Sequence, residues 1–208
     1  FVGAALAAVV VLNDFGTALL FVGIFLSMLY LATGRVAYPA TGLAAFAVGS
    51  VAVYLAVPRI HDRVTSWLNP FDHPRDLGFQ MVQSLYALGD GGIFGPGLGR
   101  GFLVTADGRT LIPELRTDFI FSAIASELGY IGALGVLVVF VLVAYRGFVI
   151  AGQCNDGFSK LLAGGLTAVL AFQAFLIIGG IVRLVPLTGV TLPFMSYGGS
   201  SVITNFGL

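Results

Sequence analysis

The stretch "LGYIGALGVLVVFVLVAY", residues 128–145, runs for 18 residues without a charge. An α-helix rises ~1.5 Å per residue, so ~20 apolar residues cross the ~30 Å hydrocarbon core of a bilayer. Working outward, charge-free runs recur at 15–34 (20 residues), 36–58 (23), 161–182 (22) and 184–208 (25). Spans are therefore expected at about 15–34, 36–58, 119–145, 161–182 and 191–208, with a partial span at 1–12. Composition agrees: the 208 residues are 58% hydrophobic and 10% charged, with a mean hydropathy of +0.99. A soluble domain carries about 25% charged residues. The expected fold class is all-α, a polytopic transmembrane helix bundle in one membrane domain. The formal net charge is zero, which offers no electrostatic footprint for a nucleic acid. Cys154 is the single cysteine, so no internal disulfide can form. The chain opens inside "FVGAALAAVVVL" with no basic segment before it and closes inside "SVITNFGL", so it reads as a fragment of a longer protein.

Thirteen of the twenty charges lie between Arg59 and Asp118. Residues 59–117 therefore form a large extramembrane loop. The short connections "TGRVAYP" (33–39) and "RGFVIAGQCNDGFSK" (146–160) share a face and set Arg35, Arg146 and Lys160 against Asp156. The positive-inside rule assigns that face to the cytoplasm, which turns the long loop outward. Within it, "WLNPFDHPRD" (67–76) sets Trp67 and Phe71 beside prolines, as suits a segment at the bilayer interface. "GFQMVQSLYALG" (78–89) is apolar at 79, 81, 82, 85, 86 and 88 and predicts a short amphipathic helix. Gln80, Gln83 and Ser84 are its polar contacts. "GDGGIFGPGLGRG" (89–101) packs seven glycines into thirteen residues without a phosphate-loop spacing. It predicts a tight, ordered turn whose backbone, around Gly97 and Gly99, can approach a pyrophosphate.

The helix that holds 128–145 starts in "IPELRTDFIFSAIASELGY" (112–130), where Glu114, Arg116 and Asp118 converge just after Pro113. Two readings stand side by side. Thr117 or Asp118 caps the helix, where an acid also suits the positive helix end. Alternatively, an ionisable group at the membrane edge is functional. Glu127 lies nine residues further, ~13.5 Å along the axis, and reads as a buried carboxylate bonded to a neighbouring helix. Asp14 shares the ambiguity of Asp118. His61 and His73 lack zinc-ligand spacing. Ser196, Ser200 and Ser201 have no histidine base nearby in sequence.

Five blocks, "WLNPF", "GFQMVQS", "GGIFGPGLGRG", "IPELRTDFIFSAIASELGY" and "RLVPLTGVTLPFMSYGGSS", resemble in order the signature blocks of the SEDS family (RodA/FtsW/SpoVE). The last is closer in wording to actinobacterial RodA-type members. The resemblance runs from "NDFGTALL" onward and covers the C-terminal part of a fold of about ten helices. One departure is Ser126, where the family often has a first of two glutamates. The resemblance implies a multi-pass protein of the bacterial cytoplasmic membrane that polymerises lipid II into glycan strands during elongation or division. It implies a class B penicillin-binding protein as partner, contact with membrane lipid, and no nucleic acid. It maps the family's catalytic aspartate onto Asp118. Glu114, Arg116, Arg63, Gln80, Gln83, Ser84, Gly97 and Gly99 are the expected substrate contacts. Loop arginines, or a divalent cation such as magnesium, would meet the pyrophosphate. Two other classes are consistent with a multi-helix membrane protein: a flippase or transporter, and a scaffold for a transpeptidase.

Overall fold

A computed structural model describes residues 15–72, 78–101, 103 and 110–197. The expected partial span at 1–12, residues 198–208 of the span expected at 191–208, and Asp14, His73, Ser200 and Ser201 lie outside the described residues. Six helices are formed among the described residues: α1 (Phe15–Thr33), α2 (Ala37–Ala56), α3 (Pro58–Leu68), α4 (Phe79–Asp90), α5 (Ile120–Gln153) and α6 (Gly157–Ile181). No strand occurs among the described residues. Four of the helices, α1, α2, α5 and α6, are long and apolar enough to cross a membrane.

Three boundaries differ from those expected. α5 runs to Gln153, past Arg146, because a cation near the end of a span extends its head to the polar zone. A separate helix, α3, begins at Pro58 immediately after the extended residue Val57. Proline is favoured at a first helical position because its missing N–H would be unpaired there anyway. Ile60, Val64, Trp67 and Leu68 then share one face while Asp62, Arg63 and Ser66 hold the other. Finally, residues 191–197 are not helical. The Leu192 amide goes to Ser196 Oγ (2.8 Å), and Pro193 has no amide to give.

The chain divides into two compact units: 1–61 with 140–173, and 62–139 with 174–208. In the first, helices meet through small residues, as in lipid, where close backbone approach replaces a hydrophobic drive. A Cβ on Gly23 of α1 would sit 2.9 Å from the Phe172 ring of α6. Gly147 of α5 likewise faces the Thr167 side chain. In the second unit, Met81, Val82 and Ala87 of α4 are buried, as are Phe121 and Ala125 of α5 and Leu176 to Ile178 of α6. Ser84 and Ser122 are fully buried and bond to each other across α4 and α5 (2.7 Å), so each hydroxyl is satisfied.

Candidate active site

The turn before α5 is built by its apolar residues. Ile112, Leu115 and Phe119 are at most 3% exposed, while Pro113, Glu114 and Arg116 stay at the surface. The amides of Thr117, Asp118 and Phe119 all donate to the Glu114 carbonyl (3.3, 3.0 and 3.2 Å), which closes the turn. Those of Ser122 and Ala123 donate to the Phe119 carbonyl and start the helix (3.0 and 3.1 Å). With its flanks anchored, the Asp118 side chain is delivered to a cavity of about 260 Å³. Asp62, Arg63, Ser66 and Trp67 of α3 line it, with Gln80 and Met81 of α4 and Leu187 and Gly189 of the segment after α6.

Burial raises the Asp118 carboxyl above its ordinary value of 3.8. A hydrogen bond from Thr117 opposes this, the Glu114 charge reinforces it, and the Arg63 charge opposes it. The Thr117 hydroxyl also reaches Glu114 Oε2 (3.0 Å) and the Glu114 carbonyl (3.2 Å). With one proton to give, it serves one of these acceptors at a time. The Asp118 side chain lines the cavity at the mouth of α5.

Of the residues expected at the site, Asp118, Arg63 and Gln80 share this cavity. Glu114 acts on Asp118 through its charge without lining it. Arg116 is exposed, and its carbonyl accepts the Tyr197 amide (2.8 Å). Gln83 is half-buried on α4, and Ser84 is committed to Ser122. Gly97 and Gly99 lie elsewhere, on a turn that docks against α5. There Gly129, at φ 66 and ψ −167, interrupts the helix. The Tyr130 and Ile131 amides donate to Gly92 and Ile93 (2.9 and 3.1 Å), and the Gly97 amide donates to the Glu127 carbonyl (2.9 Å). The glycine-rich turn thus satisfies backbone groups released by a broken helix. No group of three His, Cys, Asp or Glu side chains is placed to hold a metal among the described residues.

Sequence reasoning missed Asp62, Ser66, Leu187 and Gly189. The alternation of polar positions on α3 could have found the first two. Ser196 has a role unlike the one considered for it: its hydroxyl donates to the Thr117 carbonyl (2.5 Å) beside Asp118 and accepts the Leu192 amide.

An all-helical protein with membrane-length helices and a carboxylate-bearing cavity at a helix mouth belongs to the class of polytopic membrane proteins with a polar site. The chain is a member of the FtsW/RodA/SpoVE family, whose model, described as "cell cycle protein", matches residues 1–208. The peptidoglycan glycosyltransferase RodA of Mycobacterium tuberculosis is 44% identical over 194 residues, covering 93% of this chain and 40% of that protein. Stage V sporulation protein E of Bacillus subtilis is 40% identical over 190 residues, covering 91% of this chain and 50% of that protein. The chain thus spans half the length or less of these relatives. A chain in the solved structure of a peptidoglycan synthase complex that coordinates polymerization and crosslinking is similar at a TM-score of 0.75 and 25% identity, covering 97% of this chain and 55% of that one.

Proposed function

We propose that this chain is the catalytic part of a peptidoglycan glycosyltransferase that polymerises lipid II, with Asp118 as general base. The observation that carries this is the Asp118 carboxyl in a cavity it shares with Arg63 and Gln80, at the mouth of a membrane-length helix. The names of the relatives at 44% and 40% identity support the reaction class. A lipid-linked sugar keeps its tail in the bilayer and its head at the surface, so a base serving it belongs at a helix mouth. We place that mouth on the outer face of the cytoplasmic membrane, by the arginine and lysine bias of the short connections.

Forming a β-1,4 link from an α-linked sugar pyrophosphate inverts the anomeric carbon in one displacement. The acceptor 4-hydroxyl gives its proton to the Asp118 carboxylate, and its oxygen bonds to the anomeric carbon. The bond from that carbon to the pyrophosphate oxygen breaks, and the lipid pyrophosphate leaves with the electron pair. Arg63 supplies positive charge where negative charge accumulates. Gln80 donates to sugar or phosphate oxygens. Glu114 keeps the Asp118 carboxyl basic, and Arg116 offers a second cation at the rim. Likeness to a chain of a synthase complex supports a class B penicillin-binding protein as partner.

The test is lipid II polymerisation by the complete protein with its partner. Asp118→Asn keeps size and a capping oxygen but takes no proton, so the rate should fall on the order of 10²-fold or more. Glu114→Gln should lose less. An Asp118→Asn protein that polymerises within a few-fold of normal would remove the residue from the chemistry.

A further inference from the structure

The end of α6 is a Schellman cap. The Leu184 amide donates to the Gly179 carbonyl (2.7 Å) and the Arg183 amide to the Gly180 carbonyl (3.2 Å). That motif places the residue after the cap in the left-handed region, where glycine is the usual occupant. Here the occupant is Arg183, at φ 63. Its side chain accounts for the choice. Nε donates to the Trp67 carbonyl (3.1 Å) and Nη2 to the Leu68 carbonyl (2.7 Å). These carbonyls end α3, where acceptors are left over and a cation suits the negative helix end. The Trp67 indole returns a bond to the Arg183 carbonyl (3.0 Å). α3 is the helix that carries Asp62, Arg63, Ser66 and Trp67 to the cavity.

The same segment is fastened at its far end beside Asp118. Ser196 Oγ donates to the Thr117 carbonyl (2.5 Å), and the Tyr197 amide donates to the Arg116 carbonyl (2.8 Å). Between the two fastenings, Leu187 and Gly189 line the cavity, and a Cβ on Gly189 would lie 3.5 Å from Asp118 Oδ2. We infer that residues 183–197 are a strap, clasped to α3 by Arg183 and to the Asp118 turn by Ser196, that sets the spacing of the Arg63 cation and the Asp118 carboxyl. Arg183 and Ser196 are thus positioning residues for the reaction. The inference rests on the reading of Asp118 as the proton acceptor.

Arg183→Gly separates this role from helix capping, because glycine keeps the cap and relieves its strain while losing both clasp bonds. The complete protein is assayed for thermal midpoint, kcat, KM and the pH dependence of lipid II polymerisation, alone and with Arg63→Ala. The expected result is a cap that survives and a kcat about tenfold lower, with that loss shrinking to about twofold or less when Arg63 is already gone. The acid limb should also move to higher pH, since the Arg63 charge opposes the rise that burial and the Glu114 charge impose on Asp118; Asp62 also faces the cavity. Arg183→Lys, able to serve one carbonyl, should recover part of the activity. Equal loss in both Arg63 backgrounds, or an unmoved acid limb, overturns the strap. If Arg183→Gly does not accumulate, Ser196→Ala is put through the same cycle and read by the same criteria. An active Asp118→Asn protein defeats the active-site assignment itself. An inactive one with an additive cycle defeats only the strap.

Discussion

Asp118 is the residue at which chemistry and stability pull apart. Burial raises its pKa above 3.8, chiefly by penalising the ionised form. Below that value the carboxyl is protonated whether the chain is folded or not, and the native state bears no cost. As pH rises through the raised folded value, the unfolded chain is already ionised, and the buried charge makes the native state relatively less favourable. Asp118→Asn should therefore leave the thermal midpoint at pH 7–8 unchanged or higher, even as polymerisation collapses. A differential scan in detergent checks this, and a clear fall in midpoint contradicts it. In the same sense, the acid limb of kcat/KM should lie above that of an ordinary carboxylate. Arg63→Ala should push it higher still, because the Arg63 charge opposes the rise. The candidate aspartate was singled out in sequence by its neighbours and its family block, and the structure places it in a cavity. Arg63 was expected there through its family block, but Asp62 and Ser66 of the same helix were not, since α3 and Asp118 are brought together only by folding.

At the scale of elements, the break in α5 ties the glycine-rich turn to the span. A Cβ on Gly129 would lie 2.5 Å from both the Ile93 carbonyl oxygen and the Gly95 nitrogen. One on Gly95 would collide with the backbone of Glu127. By contrast nothing lies within 4 Å of Gly97 or Gly99, though both have positive φ (105 and 73). Gly129→Ala and Gly95→Ala thus combine strain with a backbone clash and should each cost at least ~1–3 kcal/mol. Gly97→Ala and Gly99→Ala carry strain alone and should cost less. Midpoints of the four variants, with protease cutting between 91 and 101, test the ranking; four equal losses would contradict it. The density of glycine was plain in the sequence. The helix break was not, because an uncharged run looks continuous whether or not one residue leaves helical φ and ψ. α3 was hidden for the opposite reason: its charges looked like loop until the apolar positions at 60, 64, 67 and 68 were placed on one face.

For the whole molecule, the proposed sidedness makes a direct prediction. Cys154 lies in the connection between α5 and α6, on the face assigned to the cytoplasm. A membrane-impermeant maleimide should label Leu98→Cys in intact cells but reach Cys154 only after permeabilisation. Labelling in the reverse order would invert the topology. By itself the sequence determined that the chain carries several helices long and apolar enough to cross a membrane, and that Asp118 stands just before one of them. Those properties follow from run length, charge and local order, and each is carried by contiguous residues. The cavity and the broken span were decided by the tertiary structure alone. Residues 62–67, 80–81, 118 and 187–189 come from four separate segments, and the bonds from Arg183 to Trp67 and Leu68 span more than a hundred residues. No local pattern encodes which distant carbonyls an arginine will satisfy; that choice is made when the whole chain buries its polar groups in pairs.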